Sequence, residues 1–213
     1  MNDPTDDYFI VTRDRQAVDG KPRFAGFVAG NDWTADRMYE REAVSRARPM
    51  VFDVDERDLR LQDDVPGEIG HWIVSGGDIL VSNVVAEVLV QTRPAGWELV
   101  PSVLRTIYDT YIEPIFYLHF ITGLDLWDRD RSEFAVPFDP EFDFSAELSR
   151  IVLDPERVRD ILPQDRQMFL LDGVGNNPVL LHRDLIERLS AANAMLGARF
   201  FPLAEYRPGN SFE

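Results

Sequence analysis

The 213-residue sequence predicts an α+β fold with mixed sheets and a few helices, and three observations carry that prediction. Short apolar runs bounded by Gly, Pro, Asn and Asp recur along the chain, as strands require. Few segments place apolar residues at helical spacing, and those segments are short. Above all, residues 79–101 (ILVSNVVAEVLVQTRPAGWELVP) and 179–202 (VLLHRDLIERLSAANAMLGARFFP) read as two copies of one strand-helix-strand unit. Each opens on three apolar residues and a polar one, Ser82 or His182. Glu87 then aligns with Glu187 and Leu89 with Leu189, a glycine follows (Gly96, Gly197), and a strand ends in Pro101 or Pro202.

Taken in order, residues 8–11 and 23–28 read as two short strands around a turn at Asp19, Gly20 and Pro22, opening a β-rich N-terminal lobe over 1–74. Residues 31–48 are polar and charge-mixed, a short helix or a loop. Residues 51–61 alternate apolar and polar without deciding the matter, and 63–70, with Pro66 and Gly67, form a turn or surface loop. Residues 71–74 suit a strand, and Ser75-Gly76-Gly77 a tight connection into the first unit. There Ser82 is placed to cap a helix, its hydroxyl accepting an orphan N–H of the first turn. Val84, Val85, Val88 and Leu89 give that helix a buried face.

Between the units, 115–121 (IFYLHFI) is a dense apolar-aromatic run, a buried strand or short helix. Residues 134–144, with Pro137 and Pro140, form a loop. Residues 148–153 and 167–171 suit strands, the second closed by a turn over 172–177. In the second unit Leu185, Ile186 and Leu189 make the buried face. His182 is a poorer cap than serine, so Asp184 is expected to supply acceptor charge to the first turn. Gly197 stands where the helix end needs a left-handed residue. Residues 207–213 are expected to be a disordered tail. No low-complexity linker divides the chain, so one α+β domain over 1–213, with 75–206 its core, is the economical organisation.

Composition bounds the chemistry. With no cysteine, disulfides, thiolate metal sites and cysteine nucleophiles are excluded. The start, MNDPTDDYFIV, lacks the basic and apolar regions of a secretory signal, and no run is long enough to span a membrane, so a cytoplasmic protein is expected. The net charge is -16, and Lys21 is the only lysine. Acidity concentrates in 107–147, where ten acids face Arg129 and Arg131 for a net -8, half the total. Phosphate binding needs a basic footprint, so nucleic acid is not expected as a direct partner. A basic protein is, because complementary fields steer encounter.

Catalytic patterns are sparse. Asp125, Asp128 and Asp130 suggest a metal, yet a calcium loop begun at Asp128 fails where Glu133 replaces the required glycine and Asp139 the closing glutamate. His71, His119 and His182 are isolated in sequence, and His119 reads as a core histidine. Ser75 before two glycines is a turn, and Gly173-Val174-Gly175 lacks the rest of a dinucleotide fingerprint. What stands out is the interleaving of acids with rings around Asp125, Trp127, Asp128 and Asp130 and again at Phe138, Asp139, Glu141, Phe142 and Asp143. In a binder of a basic surface the rings supply desolvated anchors and cation–π faces, and the carboxylates charge-assisted bonds.

The layout resembles immunity family eleven of bacterial polymorphic toxin systems. The likeness rests on the strand–serine–helix start at 79–82 and on Trp97-Glu98-Leu99-Val100-Pro101. It continues in Leu124-Asp125 followed by Ser132, in Leu153-Asp154, and in the closing helix with Gly197 and Phe200, over about residues 72–204. His182, where the family tends to serine, departs from the pattern. The resemblance implies a cytoplasmic protein without catalytic residues or cofactor that binds and neutralises a cognate toxin, and the acid-rich composition suits a basic one. Two other classes compete: a metal-assisted hydrolase using Asp125, Asp128 and Asp130, and an adaptor or chaperone for a secreted effector.

Overall fold

Alternation at the period of a strand decides how the apolar runs are used. The computed structural model describes residues 3–14, 17–18, 21–22, 27–29, 49–54, 70–75, 77–92, 96–105, 111–137, 146–175 and 177–207. Their strands are β1 (Tyr8–Arg13), β2 (Ala17–Val18), β3 (Lys21–Pro22), β4 (Phe27–Ala29), β5 (Met50–Val54), β6 (Trp72–Ser75), β7 (Asp78–Ser82) and β8 (Trp97–Arg105). The chain continues through β9 (Tyr111–Phe120), β10 (Gly123–Leu124), β11 (Glu133–Phe134), β12 (Leu148–Arg150), β13 (Met168–Leu171), β14 (Val179–His182) and β15 (Ala198–Pro202). The helices are α1 (Asn83–Leu89), α2 (Pro155–Asp160) and α3 (Arg183–Ala191). The α+β class is as the sequence predicts.

A six-stranded sheet runs β4-β5-β8-β9-β7-β6 and a five-stranded sheet β10-β13-β14-β1-β15. Odd and even positions of each strand serve different cores. Trp72, Val74, Ile79 and Val81 join Met168, Leu170, Val179 and Leu181 in a central core that also takes Val85 and Leu89 of α1 and Leu185 and Leu189 of α3. Ile73, Leu80 and Tyr117 face the opposite side, with Phe52 and Leu104. Phe169, Leu171 and Leu180 face away on their own sheet, towards Trp127, Leu153 and Val158.

The two units have the same topology. β7 and β8 both run antiparallel to β9, which lies between them, so they are parallel to each other and need a crossover, which α1 supplies. β14 and β15 flank β1 in the same way, with α3 as the crossover. Register agrees residue for residue: Phe116 faces Val81 and Pro101, as Phe9 faces Leu181 and Pro202. The hairpins agree too, Trp72 opposite Val81 and Met168 opposite Leu181. In each, the last strand residue donates its N–H to the residue before the hairpin, Ser82 to His71 at 2.9 Å and His182 to Gln167 at 2.8 Å. The likeness of residues 79–101 and 179–202 is therefore structural, and it extends to the strand between the arms of each unit.

Several expectations change. Residues 8–11 and 23–28 do not form one hairpin: β1 pairs with β14 and β15, β4 with β5, and residues 23–26 lie outside the described set. Of the strands in 1–74, β1 is an interior strand of the sheet built by the second unit, whereas β4, β5 and β6 belong to the six-stranded sheet. Ser82 occupies the cap position but makes no capping bond; its Oγ instead meets His71 Nδ1 at 2.9 Å. His182 is the better cap, Nδ1 accepting from the Asp184 N–H at 3.2 Å. The left-handed residue ending α3 is Asn193, at φ 54°. Its N–H bonds the Ser190 carbonyl at 3.0 Å and the Ala194 N–H bonds that of Leu189 at 2.8 Å, the two bonds of a Schellman ending. Gly197, at φ +101°, serves a different contact: a Cβ there would stand 2.2 Å from the Trp72 carbonyl oxygen. Expectations for residues 31–48, 63–69 and 208–213 lie outside the described residues.

Candidate functional site

The acid-rich segment after β10 is fixed by its own backbone. Trp127 bridges Leu153, Asp128 N–H bonds the Val152 carbonyl at 2.8 Å, and Asp154 N–H that of Leu126 at 2.8 Å. Ser132 Oγ accepts from the Val152 N–H at 3.0 Å, and Thr5 Oγ1 from that of Leu153 at 3.0 Å. Asp154 then caps α2, its carboxylate accepting the Glu156 and Arg157 N–H groups at 2.9 and 3.2 Å.

Within this frame the predicted carboxylates have separate employments. Asp125 receives Arg129 at 2.8 Å and Arg157 at 3.1 Å. Asp128 Oδ1 accepts the N–H groups of Asp130 and Arg131 at 2.9 and 3.0 Å, closing the loop in which a calcium site was weighed. Asp130 is exposed. Among the described residues no group of three His, Asp or Glu is arranged to hold a metal ion. Asp125, Asp128 and Asp130 are therefore not such a group.

Trp127 corrects an expectation. It is 2% exposed and packed in the core beneath the five-stranded sheet, with Phe134 edge-on at 6.0 Å. Its ring already carries a cation, the guanidinium of Arg129 at 4.4 Å. The cation–π chemistry read from sequence is present, but its cation belongs to this chain and not to a partner. Phe138, Asp139, Glu141, Phe142 and Asp143 lie outside the described residues, beyond a stretch in which Phe134 and Val136 are exposed. The local charge is also less one-sided than the 107–147 window suggests, because the fold brings Arg150 to Glu133 at 3.2 Å and Arg157 to Asp125. Exposed acids without an ion pair among the described residues are spread more widely: Asp6, Glu87, Glu113, Asp130, Glu147, Glu156, Asp160 and Glu187.

Each histidine has a neighbour within the fold: Ser82 for His71, Tyr117 for His119 and Tyr8 for His182. His119 is buried beside Tyr117, whose hydroxyl donates to Asp78 at 2.8 Å. Burial pushes the Asp78 carboxyl up from its ordinary value, against the lowering effect of that hydrogen bond. His182 stands edge-on to Tyr8, and burial holds its imidazole below the usual histidine range despite the opposing pull of Asp184.

Sequence reasoning missed a cleft of about 270 Å³ where the two units meet. Its buried floor is Trp97, Met168 and Phe169, and its mouth Thr122, Asp160 and Leu162, which are exposed. Leu124, Ile161 and Asp165 complete the walls. One signal was readable. Asp160 ends α2, where the helix dipole favours a base, and it is followed by the exposed apolar Leu162. No helix among the described residues is long and apolar enough to cross a membrane. No protein-family model matches the chain, and no curated protein matches it significantly.

Proposed function

We propose that this chain is an immunity-type protein of the cytoplasm that binds and neutralises a basic toxin, occluding the toxin's positive surface by charge and shape. The observation that carries this reading is the charge: -16 on 213 residues with one lysine, and carboxylates exposed on several elements rather than gathered into one site. A field of that sign draws a cationic protein and repels nucleic acid. The resemblance to immunity family eleven agrees with it. The residues proposed to meet the toxin are the exposed ones of the 125–136 segment and, from the sequence alone, Phe138, Asp139, Glu141, Phe142 and Asp143.

Co-expression tests the reading. The product of the adjacent reading frame is expected to arrest growth, and this chain to restore it. Reversing Asp139, Glu141 and Asp143 to lysine is expected to abolish protection while leaving the circular-dichroism spectrum unchanged. A toxic neighbour that proved acidic, or protection indifferent to the reversal and to added salt, would remove the electrostatic mechanism.

A further inference from the structure

Four consecutive apolar residues, Phe134, Ala135, Val136 and Pro137, are all exposed, Phe134 at 39% and Val136 at 49%. On a strand alternate residues turn inward, so a run exposed on both faces stands clear of the sheet. The chain bends at 135 and 136 and leaves the line of β11. The run is nevertheless held on its inner side. The Ala135 N–H donates to the Glu147 carbonyl at 2.8 Å, Ser149 Oγ to that of Glu133 at 3.2 Å, and the Phe134 ring stands edge-on to buried Trp127 at 6.0 Å. Consecutive apolar residues kept in water mark a surface that another molecule covers. The charge around them leaves one sign to spare. Arg150 answers Glu133 at 3.2 Å. Asp130, in the loop before β11, and Glu147, opposite Ala135, are exposed and have no ion pair among the described residues.

From this geometry we infer that residues 134–137 are an apolar knob that seats in an apolar pocket of the partner protein, whose cationic rim meets Asp130 and Glu147. This rests on the reading of the chain as a binder of a basic protein, and it names the feature of that protein which the chain grips. A convex apolar run leaves water only against a concave apolar complement. A second copy of this chain is the poorer occupant, because it would gather the same carboxylates on two chains of net charge -16 each. The two kinds of group act at different steps. Carboxylates at a rim speed encounter, whereas a desolvated anchor held rigid before binding slows release.

The full-length protein can be tested without the partner. Fully aminated β-cyclodextrin, an apolar cup with an ammonium rim, is titrated while the Ala135 and Val136 amide resonances are followed, with neutral β-cyclodextrin as the control. The aminated cup is expected to shift both amides saturably and to bind about fivefold more tightly than the neutral one. Val136→Ser, at an exposed position, is expected to weaken both cups roughly fivefold. Asp130→Asn with Glu147→Gln is expected to remove most of the aminated cup's advantage and to leave the neutral cup unchanged. Equal binding of the two cups, binding indifferent to either set of substitutions, or unmoved Ala135 and Val136 amides would each overturn the assignment. So would sedimentation showing a dimer that Val136→Ser dissolves, since the run would then belong to a second copy. Toxin affinity unchanged by Val136→Ser removes only the knob. Cup binding by a protein that protects nothing removes only the neutralisation reading.

Discussion

At the scale of the residue, the informative positions are those where one side chain does a job read from sequence for another. His182 caps α3 through Nδ1, which accepts an N–H only while the ring is neutral. Its folded pKa is lowered, chiefly by burial, so the unfolded chain takes up a proton at higher pH than the folded one. The stability it contributes is therefore complete above the unfolded value of about 6.5 and is lost as pH falls through the lower folded value. Urea melts from pH 7.5 to 5 should show that loss, and His182→Asn, a cap that does not titrate, should flatten the profile. His182→Ala should cost about 1 kcal/mol at neutral pH. Gly197 gives a steeper effect. Alanine there is strained at φ +101° and drives Cβ to 2.2 Å from the Trp72 carbonyl, so thermal melts should report a loss above about 2 kcal/mol. The cap positions and the left-handed glycine were readable from the sequence, but their partners were not. Whether a hydroxyl caps its helix depends on what else is near it, and for Ser82 the neighbour is His71, which no local pattern reveals.

At the scale of the element, the two units were legible because their buried positions stand one hundred residues apart. Leu80 and Leu180, Val85 and Leu185, and Leu89 and Leu189 are all 0% exposed. The strand completing each unit was not legible, because its place in chain order differs. β9 follows its unit, whereas β1 comes from the far end of the chain, so YFIV and IFYL answer each other only once the sheets are formed. Trp127 was misplaced for a related reason: flanking aspartates read as surface, yet the bridge to Leu153 turns the ring inward under Arg129. Because α1 and α3 share the central core, the equivalent leucines should couple. Leu89→Ala and Leu189→Ala should each cost about 2–5 kcal/mol. The double variant, assayed in chemical denaturation on a stabilised background, should depart from additivity by about 0.5 kcal/mol or more. Strict additivity would mean that each helix answers only to its own sheet.

At the scale of the whole molecule, the position of β1 makes the N-terminus a structural part of the C-terminal unit. Its backbone serves β14 on one side and β15 on the other, and Tyr8 adds a hydroxyl bond to the Arg166 carbonyl at 3.1 Å. Removing residues 1–14 would leave two strand edges facing an empty row, with the ladder donors and acceptors of both unpaired inside a core that also loses Tyr8, Ile10 and Val11. An unpaired buried backbone group costs about as much as a lost hydrogen bond, and several are lost together. The stability of a typical domain, about 5–15 kcal/mol, cannot absorb that. A chain begun at residue 15 should therefore lose the protected amides of β14 and β15 in hydrogen exchange, and those of β7 and β9 as well, since one central core joins the sheets. A peptide of residues 3–14 supplied in trans should restore them in proportion to its occupancy. Protection surviving in β7 and β9 alone would show instead that the first unit folds by itself, and that the two sheets are joined by packing without cooperativity.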